Sequence, residues 1–282
     1  MTTRRELINR ITAHLTGLYD PREARSIAQI VVAERAGLSL TDLRIEPSAP
    51  LEIEGLEALL TQLAAGRPVQ YVVGATEFYG RRFSVREGVL IPRPETEELV
   101  AWIAHDEPAG TTLLDVGCGS GCIAASLALE IADAKVYATD ISDEALTIAA
   151  DNCRQLHATV TLRKADALNN LAAIFPEQFD ALVSNPPYVP QSDLPTLHTN
   201  VRDYEPHQAL LVPDNDPLLF YRAIARAGRQ MLRPKGRLYF EIYHLYADLM
   251  QQMLRQEGYD ALEVRTDLQG KPRMLCGRLT EA

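Results

Sequence analysis

The spacing of hydrophobic residues changes along the chain and divides it into a helical first part and a strand-rich remainder. Through about residue 63, apolar positions recur at helical spacing in two groups: Leu7, Ile8, Ile11 and Leu15, then Ala24, Ile27, Ala28, Ile30 and Val31. Asp20-Pro21 is typical of an N-cap followed by proline at the first helical position. A third helix is predicted over Leu51–Leu63, before Gly66-Arg67-Pro68. We therefore expect a small helical domain, which either contacts a macromolecular partner or only shields the domain that follows.

Short strand-like runs, interrupted by glycine, replace the helical pattern between Val69 and Ile91. These runs are Tyr71–Val73, Thr76–Tyr79, Arg82–Val85 and Val89–Ile91, with Gly80 and Gly88 suited to hairpin turns. The next segment, Ile91-Pro92-Arg93-Pro94, opens a helix whose first turn holds acidic residues that favour the helix dipole. The alternative is a stiff loop that covers a ligand. We predict a helical domain over residues 1–75, a hairpin linker over 76–92 and a larger domain over 93–282.

Strand and helix patterns alternate regularly after Gly110. The predicted strands are 111–116, 135–139, 159–163, 179–184, 237–243, 262–264 and 273–278. Helices are predicted over 122–131, from Ser142 as N-cap, over 217–231 and over 247–256. Repeated strand–helix units with short connections indicate a parallel sheet with helices on both faces. The predicted fold class is therefore α/β: a doubly wound, mainly parallel sheet of seven strands, with a small helical N-terminal domain joined by a β-hairpin.

Composition narrows the class of protein. The 282 residues are 46% hydrophobic and 23% charged, as in an ordinary soluble globular protein. The formal net charge of -10 argues against extensive binding to a phosphate backbone, although a local basic patch is compatible with it. The N-terminus lacks an apolar segment, and no run of ~18 apolar residues predicts a membrane span. The four cysteines have neither zinc-type nor disulfide-framework spacing, so we expect a cytoplasmic protein with reduced thiols and no metal site.

Three glycines follow the first strand of the sheet, in the pattern Asp115-x-Gly117-x-Gly119-x-Gly121. Ligands of doubly wound sheets bind at the carboxyl ends of the strands, and glycines there let backbone amides approach them. Asp140 ends the second strand about 20 positions later, where an acidic residue can bind both hydroxyls of a ribose. A dinucleotide fingerprint would need glycine at Cys122. The pattern instead resembles the S-adenosylmethionine loop of class I methyltransferases, in which Asp166 would contact the adenine. The alternatives are a tight turn without a ligand and a capping or solvent-facing Asp166.

The fourth strand, Phe179–Ser184, is followed by Asn185-Pro186-Pro187-Tyr188. Because consecutive prolines cannot continue a central strand, the chain leaves the sheet at Asn185 in a stiff loop. The loop matches the (N/D/S)-P-P-(Y/F/W) signature of methyltransferases that act on planar nitrogen. In this interpretation the Asn185 oxygen and the Pro186 carbonyl accept both N–H hydrogens of the target nitrogen, while Tyr188 stacks on the planar group. Catalysis would rest on orientation and electrostatic preorganisation. The alternative is a strand ended by prolines, without function.

Several further segments resemble one methyltransferase family over most of the chain. They are Arg67–Tyr71, Glu77–Gly80, Leu90–Glu97, Asp115–Gly121, Val183–Pro190, Glu205-Pro206 and Asp267–Arg273. Together they are similar to the release-factor glutamine methyltransferases, which methylate the side-chain amide of the glutamine in the Gly-Gly-Gln motif of class 1 peptide-chain release factors. The resemblance implies S-adenosyl-L-methionine as cofactor and a release factor as protein substrate, with neither a membrane nor nucleic acid as a direct partner.

The resemblance also implies the site residues. Cofactor binding would involve Gly117, Cys118, Gly119, Ser120, Gly121, Asp140, Asp166, Ala167 and Asn185. The substrate glutamine would be held by Asn185, Pro186, Pro187 and Tyr188, of which Asn185, Pro186 and Tyr188 would be catalytic. Two positions depart from the family pattern. Ala167 stands where some relatives have an aromatic residue, and Tyr243-His244 follows Glu241-Ile242 where glycine is more usual.

Two other functions are weighed against this one. A DNA or RNA amino-methyltransferase would present a flipped base to the same Asn-Pro-Pro-Tyr loop, but the acidic balance and the lack of a basic, aromatic-interleaved region argue against it. A non-catalytic binding module could keep the same fold, but the intact glycine loop, Asp140 and Asn185 argue for catalysis.

Overall fold

The computed structural model describes residues 2–169 and 171–280. The helices are α1 Arg4–Leu15, α2 Pro21–Ala36, α3 Leu40–Ile45, α4 Leu56–Ala64, α5 Val69–Val73, α6 Pro94–Asp106, α7 Cys122–Glu130, α8 Asp143–Leu156, α9 Leu171–Ile174, α10 Thr199–Tyr204, α11 His207–Leu210, α12 Leu219–Met231 and α13 Ala247–Gln256. The strands are β1 Ala75–Phe78, β2 Arg81–Ser84, β3 Thr112–Val116, β4 Lys135–Asp140, β5 Val160–Lys164, β6 Phe179–Ser184, β7 Val189–Pro190, β8 Leu211–Val212, β9 Leu232–Glu241, β10 Tyr259–Thr266 and β11 Pro272–Leu279. Within these ranges, no helix combines the length and the apolar character needed to cross a membrane.

The described residues form two compact units. One comprises the chain up to Ala75 together with His198–Tyr204, and the other comprises Thr76–Leu197 and the chain from Glu205 onward. The first unit is helical, and the second contains the large sheet.

Side-chain caps define where the first two helices begin. Thr3 and Glu6 form a capping box at α1, in which the Thr3 amide donates to the Glu6 carboxylate at 2.8 Å. Asp20 caps α2 by accepting a 2.8 Å hydrogen bond from the backbone amide two residues later. Pro21 occupies the first helical position, so the predicted N-cap is confirmed.

The apolar faces predicted for α1 and α2 form the core of the helical unit. The buried positions include Leu7, Ile8, Ile11 and Leu15 from α1 and Ala24, Ile27, Ala28 and Val31 from α2. The segment His198–Tyr204 is held to this unit by two hydrogen bonds. The Tyr204 hydroxyl donates to the Ala65 carbonyl at 2.8 Å, and the Asn200 amide donates to the Tyr19 hydroxyl at 3.3 Å. Nothing in the sequence pattern indicated this second part of the unit.

The predicted start of the third helix, at Leu51, was wrong. Gly55 has φ +67°, in the left-handed region, so α4 begins after it at Leu56 and not at Leu51. A short helix before it, α3, was not predicted. Its N-cap is Ser39, whose hydroxyl accepts from the Asp42 amide at 3.0 Å.

The strand predicted over Tyr71–Val73 was also wrong, because these residues lie in the single turn of helix α5. The Pro68 carbonyl accepts hydrogen bonds from the amides of Tyr71 and Val72 at 3.0 and 3.1 Å. Val69 and Val72, three positions apart, are both buried in the helical core. This run rich in β-branched residues therefore forms a helix, because one helical turn buries both valines.

The second unit contains a seven-stranded sheet in the order β10-β11-β9-β6-β3-β4-β5. Strands β5, β4, β3, β6 and β9 run parallel to one another, whereas β11 is antiparallel to both of its neighbours, β9 and β10. The predicted doubly wound, mainly parallel α/β fold is confirmed. From β3 the chain continues to β4 and β5 on one side and to β6 and β9 on the other, so the strand order reverses between β3 and β6.

Alternate residues of the central strands face two separate hydrophobic clusters. Leu113 and Ala181 point to the cluster that includes helices α6, α7 and α8. Leu114 and Leu182 point to the opposite cluster, which includes α12 and α13. Burial on both faces explains why these strands appear in the sequence as continuous apolar runs.

The predicted hairpin is formed by β1 and β2. Its two connecting residues, Tyr79 and Gly80, have φ values of +51° and +68°, as a type I′ turn requires. The fourth predicted run, Val89–Ile91, is not a strand but an irregular loop in which the side chains of Val89 and Ile91 are buried. Strand β9 begins at Leu232 and ends at Glu241, so the predicted range of 237–243 was shifted toward the C-terminus.

Candidate active site

A cavity of about 430 Å³ lies at the carboxyl ends of the parallel strands, where the strand order reverses. Its wall includes the residues that follow β3, β4, β5 and β6, the loop that precedes α6, and residues of α11 and α12. Of the predicted site residues, those that line it are Gly117, Cys118, Gly119, Ser120, Asp140, Asp166, Ala167, Asn185, Pro186 and Pro187. Gly121 and Tyr188 lie outside this lining.

The glycines after β3 have two different structural roles. Gly117 and Gly119 have φ values of +77° and +53°, and a Cβ at either position would meet no atom within 4 Å. Gly121 also has a positive φ of +77°, but a Cβ there would lie 3.0 Å from the Cβ of Ala149 on α8. The first two glycines therefore shape a backbone that faces open space, and the third permits close packing of the loop against a helix.

Asp140 is held in place by the loop that it faces. The amide of Gly119 donates to Asp140 Oδ2 at 2.9 Å, and the amide of Ser142 donates to Oδ1 at 2.9 Å. Each carboxylate oxygen has two acceptor positions. After these two bonds, Asp140 keeps one acceptor position on each oxygen for a ligand. The predicted N-cap Ser142 is confirmed, since its hydroxyl accepts from the Ala145 amide at 3.2 Å.

Asp115, the first residue of the glycine motif, lies behind the loop. Its side chain is buried, and Oδ2 accepts a hydrogen bond from the Ala124 amide in the first turn of α7 at 3.2 Å. Gly121, the N-cap residue of α7, has no side chain that could accept such a hydrogen bond. Burial raises the pKa of Asp115 to about 7, against the opposing effect of the Ala124 hydrogen bond, and the nearby charge of Asp140 adds to the rise. Asp115 therefore supports the loop from outside the cavity.

The residues after β5 form a turn and part of an apolar rim of the cavity. Asp166 accepts hydrogen bonds from the Leu168 amide at 2.8 Å and from the Asn169 side chain at 2.6 Å, so its carboxylate shapes the turn after β5. Ala167 lines the cavity beside it. Leu168 and Ile141, which also line the cavity, are large apolar side chains left 41% and 42% exposed. Neither residue was predicted from the sequence to belong to the site. The available signal was an apolar residue directly after an aspartate that ends a strand, as at Ile141.

Ser184 fixes the point at which the Asn-Pro-Pro-Tyr loop leaves β6. Its buried hydroxyl donates to the carbonyl of Val116, the last residue of β3, at 2.6 Å. Asn185, Pro186 and Pro187 then line the cavity. The glycine loop and the Asn185 loop thus leave the sheet side by side.

The Asn185 side chain reaches a buried hydrogen-bond chain. Its Nδ2 lies 3.4 Å from the Thr96 hydroxyl, which in turn donates to Glu241 Oε2 at 2.6 Å. The Tyr188 hydroxyl donates to Glu241 Oε1 at 3.2 Å. Burial raises the pKa of Glu241, whereas the hydrogen bonds from Thr96 and Tyr188 oppose that rise. Thr96 and Glu241 were missed by sequence reasoning because they come from α6 and β9, 145 positions apart.

Tyr188 is packed against a second tyrosine. Its ring is nearly parallel to that of Tyr243, with an interplanar angle of 17° and 5.9 Å between the centroids. The Tyr243 hydroxyl donates to Asp193 at 3.3 Å. The departure from the family pattern at Tyr243 therefore gives Tyr188 an aromatic neighbour.

An ion pair borders the cavity on the side of the loop before α6. Arg93 donates to Glu205 at 2.6 Å, and the other Glu205 oxygen accepts from the Ile91 amide at 3.2 Å. The Glu205 side chain is 1% exposed and the Arg93 side chain 32%. Of the described residues that line the cavity, Arg93 is the only one with a cationic side chain. No cluster of three or more His, Cys, Asp or Glu side chains that could hold a metal ion occurs within 2–169 and 171–280.

The fold is similar to that of a solved methyltransferase. A methyltransferase from Pyrococcus furiosus is 15% identical, with a TM-score of 0.54, and the match covers 81% of this chain and 100% of that structure. At this identity the likeness shows the fold alone. Two family models match the chain, the PrmC N-terminal domain over residues 6–74 and the methyltransferase small domain over residues 95–201.

Closer relatives have a named activity. A release factor glutamine methyltransferase from Bacteroides thetaiotaomicron is 43% identical over 275 residues, 95% of this chain and 99% of that protein. A release factor glutamine methyltransferase from Flavobacterium psychrophilum is 38% identical over 93% of this chain and 94% of its own length. Since the similarity extends over both units and nearly the full length of these enzymes, the chain belongs to the release factor glutamine methyltransferase family and is an enzyme of that family.

Proposed function

We propose that this protein methylates the side-chain amide nitrogen of the glutamine in the Gly-Gly-Gln motif of class 1 peptide-chain release factors, with S-adenosyl-L-methionine as methyl donor. The observation that carries the proposal is the position of Asn185, which lines the cavity beside the glycine loop with its amide next to Thr96. The relationship to release factor glutamine methyltransferases supports the same substrate. We expect the reaction to take place in the cytoplasm, where translation factors act.

The glycine loop and Asp140 fit the nucleoside part of this cofactor. The open space beside Gly117 and Gly119 leaves room for a ligand against the backbone. The remaining acceptor positions of Asp140 suit the two ribose hydroxyls. We assign Cys118 and Ser120, which line the cavity between these glycines, to the same binding loop.

The rest of the cavity fits the adenine and the amino-acid part. Ile141, Leu168 and Ala167 form an apolar rim suited to a flat base, and Asp166 shapes the turn that carries this rim. Arg93 offers a positive charge for the carboxylate of the cofactor. Both parts of the cavity thus agree with S-adenosyl-L-methionine in chemical character.

The residues of the Asn185 loop provide the orientation that the reaction needs. When bound, S-adenosyl-L-methionine supplies a sulfonium methyl group: the N–C bond forms as the S–C bond breaks, the S–C electron pair goes to sulfur, and the nitrogen releases one proton to solvent. An amide nitrogen is a weak nucleophile because its lone pair is delocalised into the carbonyl. Asn185 Oδ1 and the Pro186 carbonyl accept its N–H hydrogens, which orients the nitrogen and raises its electron density. We assign Pro187 and Tyr188 to the same substrate-binding loop, in which Pro187 lines the cavity and Tyr188, outside the lining, is fixed through its hydroxyl by Glu241.

In this proposal the two predicted domains have different functions. The helical domain over residues 1–75 binds the release factor, the hairpin over 76–92 links the domains, and the domain over 93–282 carries out methyl transfer. The match of residues 6–74 to the PrmC N-terminal domain model supports a separate first domain.

A methyl-transfer assay with three kinds of acceptor tests the proposal. Purified protein with methyl-labelled S-adenosyl-L-methionine is incubated with a class 1 release factor, with the same factor carrying alanine for the glutamine of Gly-Gly-Gln, and with DNA and RNA. We expect label in the intact factor alone, at that one glutamine. Asn185→Ala is expected to abolish transfer while cofactor binding, measured by calorimetry, largely survives.

The other outcomes contradict the proposal in different ways. Label in nucleic acid but not in the release factor would identify a base amino-methyltransferase. Cofactor binding without transfer to any acceptor would indicate a binding module, and undiminished turnover by Asn185→Ala would remove the proposed role of the asparagine.

A further inference from the structure

The Asn185 amide is the outer end of a hydrogen-bond chain that terminates on a buried carboxylate. The chain runs from Asn185 Nδ2 to the Thr96 hydroxyl over 3.4 Å and from Thr96 to Glu241 Oε2 over 2.6 Å. Tyr188 occupies the other carboxylate oxygen at 3.2 Å. Because Glu241 is 1% exposed, its protonation state is set by these protein groups and not by bulk water alone.

The hydrogens in this chain can be counted. A threonine hydroxyl has a single hydrogen to donate, and an ionised carboxylate has none. With Glu241 ionised, the Thr96 hydrogen is committed to the carboxylate, so Thr96 presents only lone pairs to Asn185. The part of Asn185 that faces Thr96 must then be its NH2 group. Its carbonyl oxygen is consequently turned toward the cavity.

Protonation of Glu241 removes this constraint on Asn185. A protonated Glu241 can donate to Thr96, which frees the threonine hydrogen to bond the Asn185 oxygen, while a second lone pair of Thr96 can still accept from the NH2 group. Either end of Asn185 can then face Thr96, and where the NH2 group faces the cavity it cannot accept an N–H hydrogen from a substrate amide. Only an ionised Glu241 thus holds the Asn185 oxygen toward the substrate.

Several groups around Glu241 influence that charge. Burial has the largest effect and raises the pKa of Glu241, and the negative charge of Glu95 on α6 acts in the same direction. The hydrogen bonds from Thr96 and Tyr188 and the positive charge of Arg273 on β11 favour the ionised form. Two further titratable neighbours are Tyr221 of α12, whose hydroxyl donates to the Glu241 backbone carbonyl at 3.0 Å, and Cys122 of α7.

We propose that Glu241 and Thr96 are positioning residues that turn the Asn185 carbonyl oxygen toward the reacting nitrogen, so that the site selects a nitrogen that donates an N–H hydrogen. The inference rests on the proposed function, because it identifies what sets the specificity of that same site. If the NH2 group of Asn185 faced the cavity instead, the site would present a hydrogen-bond donor and would reject a nitrogen that donates an N–H hydrogen.

Steady-state kinetics of Thr96→Val, Thr96→Ser and Glu241→Gln test this role. At saturating cofactor, Thr96→Val is expected to lower kcat on the release factor about 10- to 100-fold, with little change in KM or cofactor affinity, because the orientation of Asn185 is no longer fixed. Thr96→Ser keeps the hydroxyl and is expected to retain most of the turnover. The matched control is Thr147→Val, which removes a hydroxyl that donates to the Asp143 carbonyl of its own helix.

The pH profile separates positioning from simple structural support. In the unaltered enzyme, kcat is expected to fall at acid pH as Glu241 takes up a proton and Asn185 turns. Glu241→Gln is expected to have a low kcat without this acid limb, since glutamine does not titrate. An acid limb that persists in Glu241→Gln, or full turnover by Thr96→Val, would overturn the inference.

An NMR measurement gives a readout that does not require turnover. The protein is labelled with 15N-asparagine, and the Asn185 side-chain signals are identified by their absence in Asn185→Asp. Thr96→Val is expected to move one of these amide protons upfield, because its acceptor is lost, whereas Thr147→Val leaves them in place. If the unaltered protein methylates no release factor, the proposed function fails. The positioning inference then stands if the signals move in Thr96→Val and falls if they do not.

Discussion

The hydroxyl of Ser184 donates a 2.6 Å hydrogen bond to the carbonyl of Val116. These residues end β6 and β3, the two strands between which the strand order reverses, and both are buried. The Asn185 loop and the glycine loop begin directly after them. This bond therefore sets the starting point of both loops of the candidate active site.

Removal of the Ser184 hydroxyl should lower kcat strongly and the free energy of unfolding only slightly. Ser184→Ala is expected to lower the free energy of unfolding by about 1 kcal/mol, the usual net value of one hydrogen bond. Because Asn185 is the next residue, a small shift of the strand end is expected to lower kcat about tenfold or more. Urea denaturation and the release-factor assay measure the two effects. Unchanged kcat together with reduced stability would show that the bond serves the fold alone.

The pKa of Asp115 predicts a pH dependence of stability. Burial raises this pKa from the ordinary 3.8 to about 7 in the folded protein. Between these values the folded state keeps a proton that the unfolded state has released, so the free energy of unfolding falls as pH rises from about 4 to about 7. At one pKa unit per 1.36 kcal/mol, the loss is about 4 kcal/mol at most.

Asp115→Asn tests that dependence, since asparagine does not titrate. The stability of the variant relative to the unaltered protein is expected to rise with pH through this window and to level off above about pH 7. Urea denaturation of both proteins at matched pH values gives the difference directly. A difference that is constant with pH would mean that Asp115 is ionised in the folded state throughout.

The sequence was most informative where one local segment sets the structure. The β6 prediction, Phe179–Ser184, coincides with the observed strand because a strand buried on both faces is a continuous apolar run. The glycine loop was recognisable because three positions of positive φ follow one another at fixed spacing. Both features depend on residues that are close in the chain.

Relationships between distant residues could not be predicted in this way. Thr96 and Glu241 are joined across 145 positions, and neither has a local pattern that indicates the other. The packing of Tyr204 against Ala65 likewise joins two parts of the chain without a shared motif. The α5 turn was mistaken for a strand because β-branched residues favour strands locally, whereas burial of Val69 and Val72 favours the helix.

Gly121 offers a test of packing at the glycine loop. Gly121→Ala places a Cβ 3.0 Å from the Ala149 Cβ at a φ of +77°, so it should destabilise the protein both by contact and by backbone strain. We expect a loss of about 2 kcal/mol, of which the φ strain alone accounts for about 1 kcal/mol.

A second substitution separates the two causes. Ala149→Gly in the Gly121→Ala background removes the 3.0 Å contact with the Ala149 Cβ but leaves the 3.2 Å contact with the Ala149 Cα and the φ strain, so it should recover part of the loss beyond the independent cost of glycine within α8. Thermal or urea denaturation of the four proteins of this cycle measures the coupling. Strict additivity would mean that the loop can move away from α8 without cost.

The Arg93–Glu205 pair predicts different effects on stability and on cofactor binding. Arg93→Met leaves a Glu205 carboxylate that is 1% exposed without its cation. We expect a loss of about 2 kcal/mol, less than for a fully buried pair because Arg93 is 32% exposed. The double variant Arg93→Met, Glu205→Gln removes the unpaired charge and should recover most of this loss.

Binding should not recover in the same way. If Arg93 supplies the charge for the cofactor carboxylate, both proteins that lack Arg93 should bind S-adenosyl-L-methionine more weakly, whereas Glu205→Gln keeps the arginine and should bind it nearly normally. Calorimetric titration of the three variants, beside urea denaturation of each, separates the two roles. Recovery of affinity together with stability in the double variant would mean that Arg93 acts only by holding Glu205 and the loop before α6, and that the cofactor carboxylate is bound by other groups of the cavity.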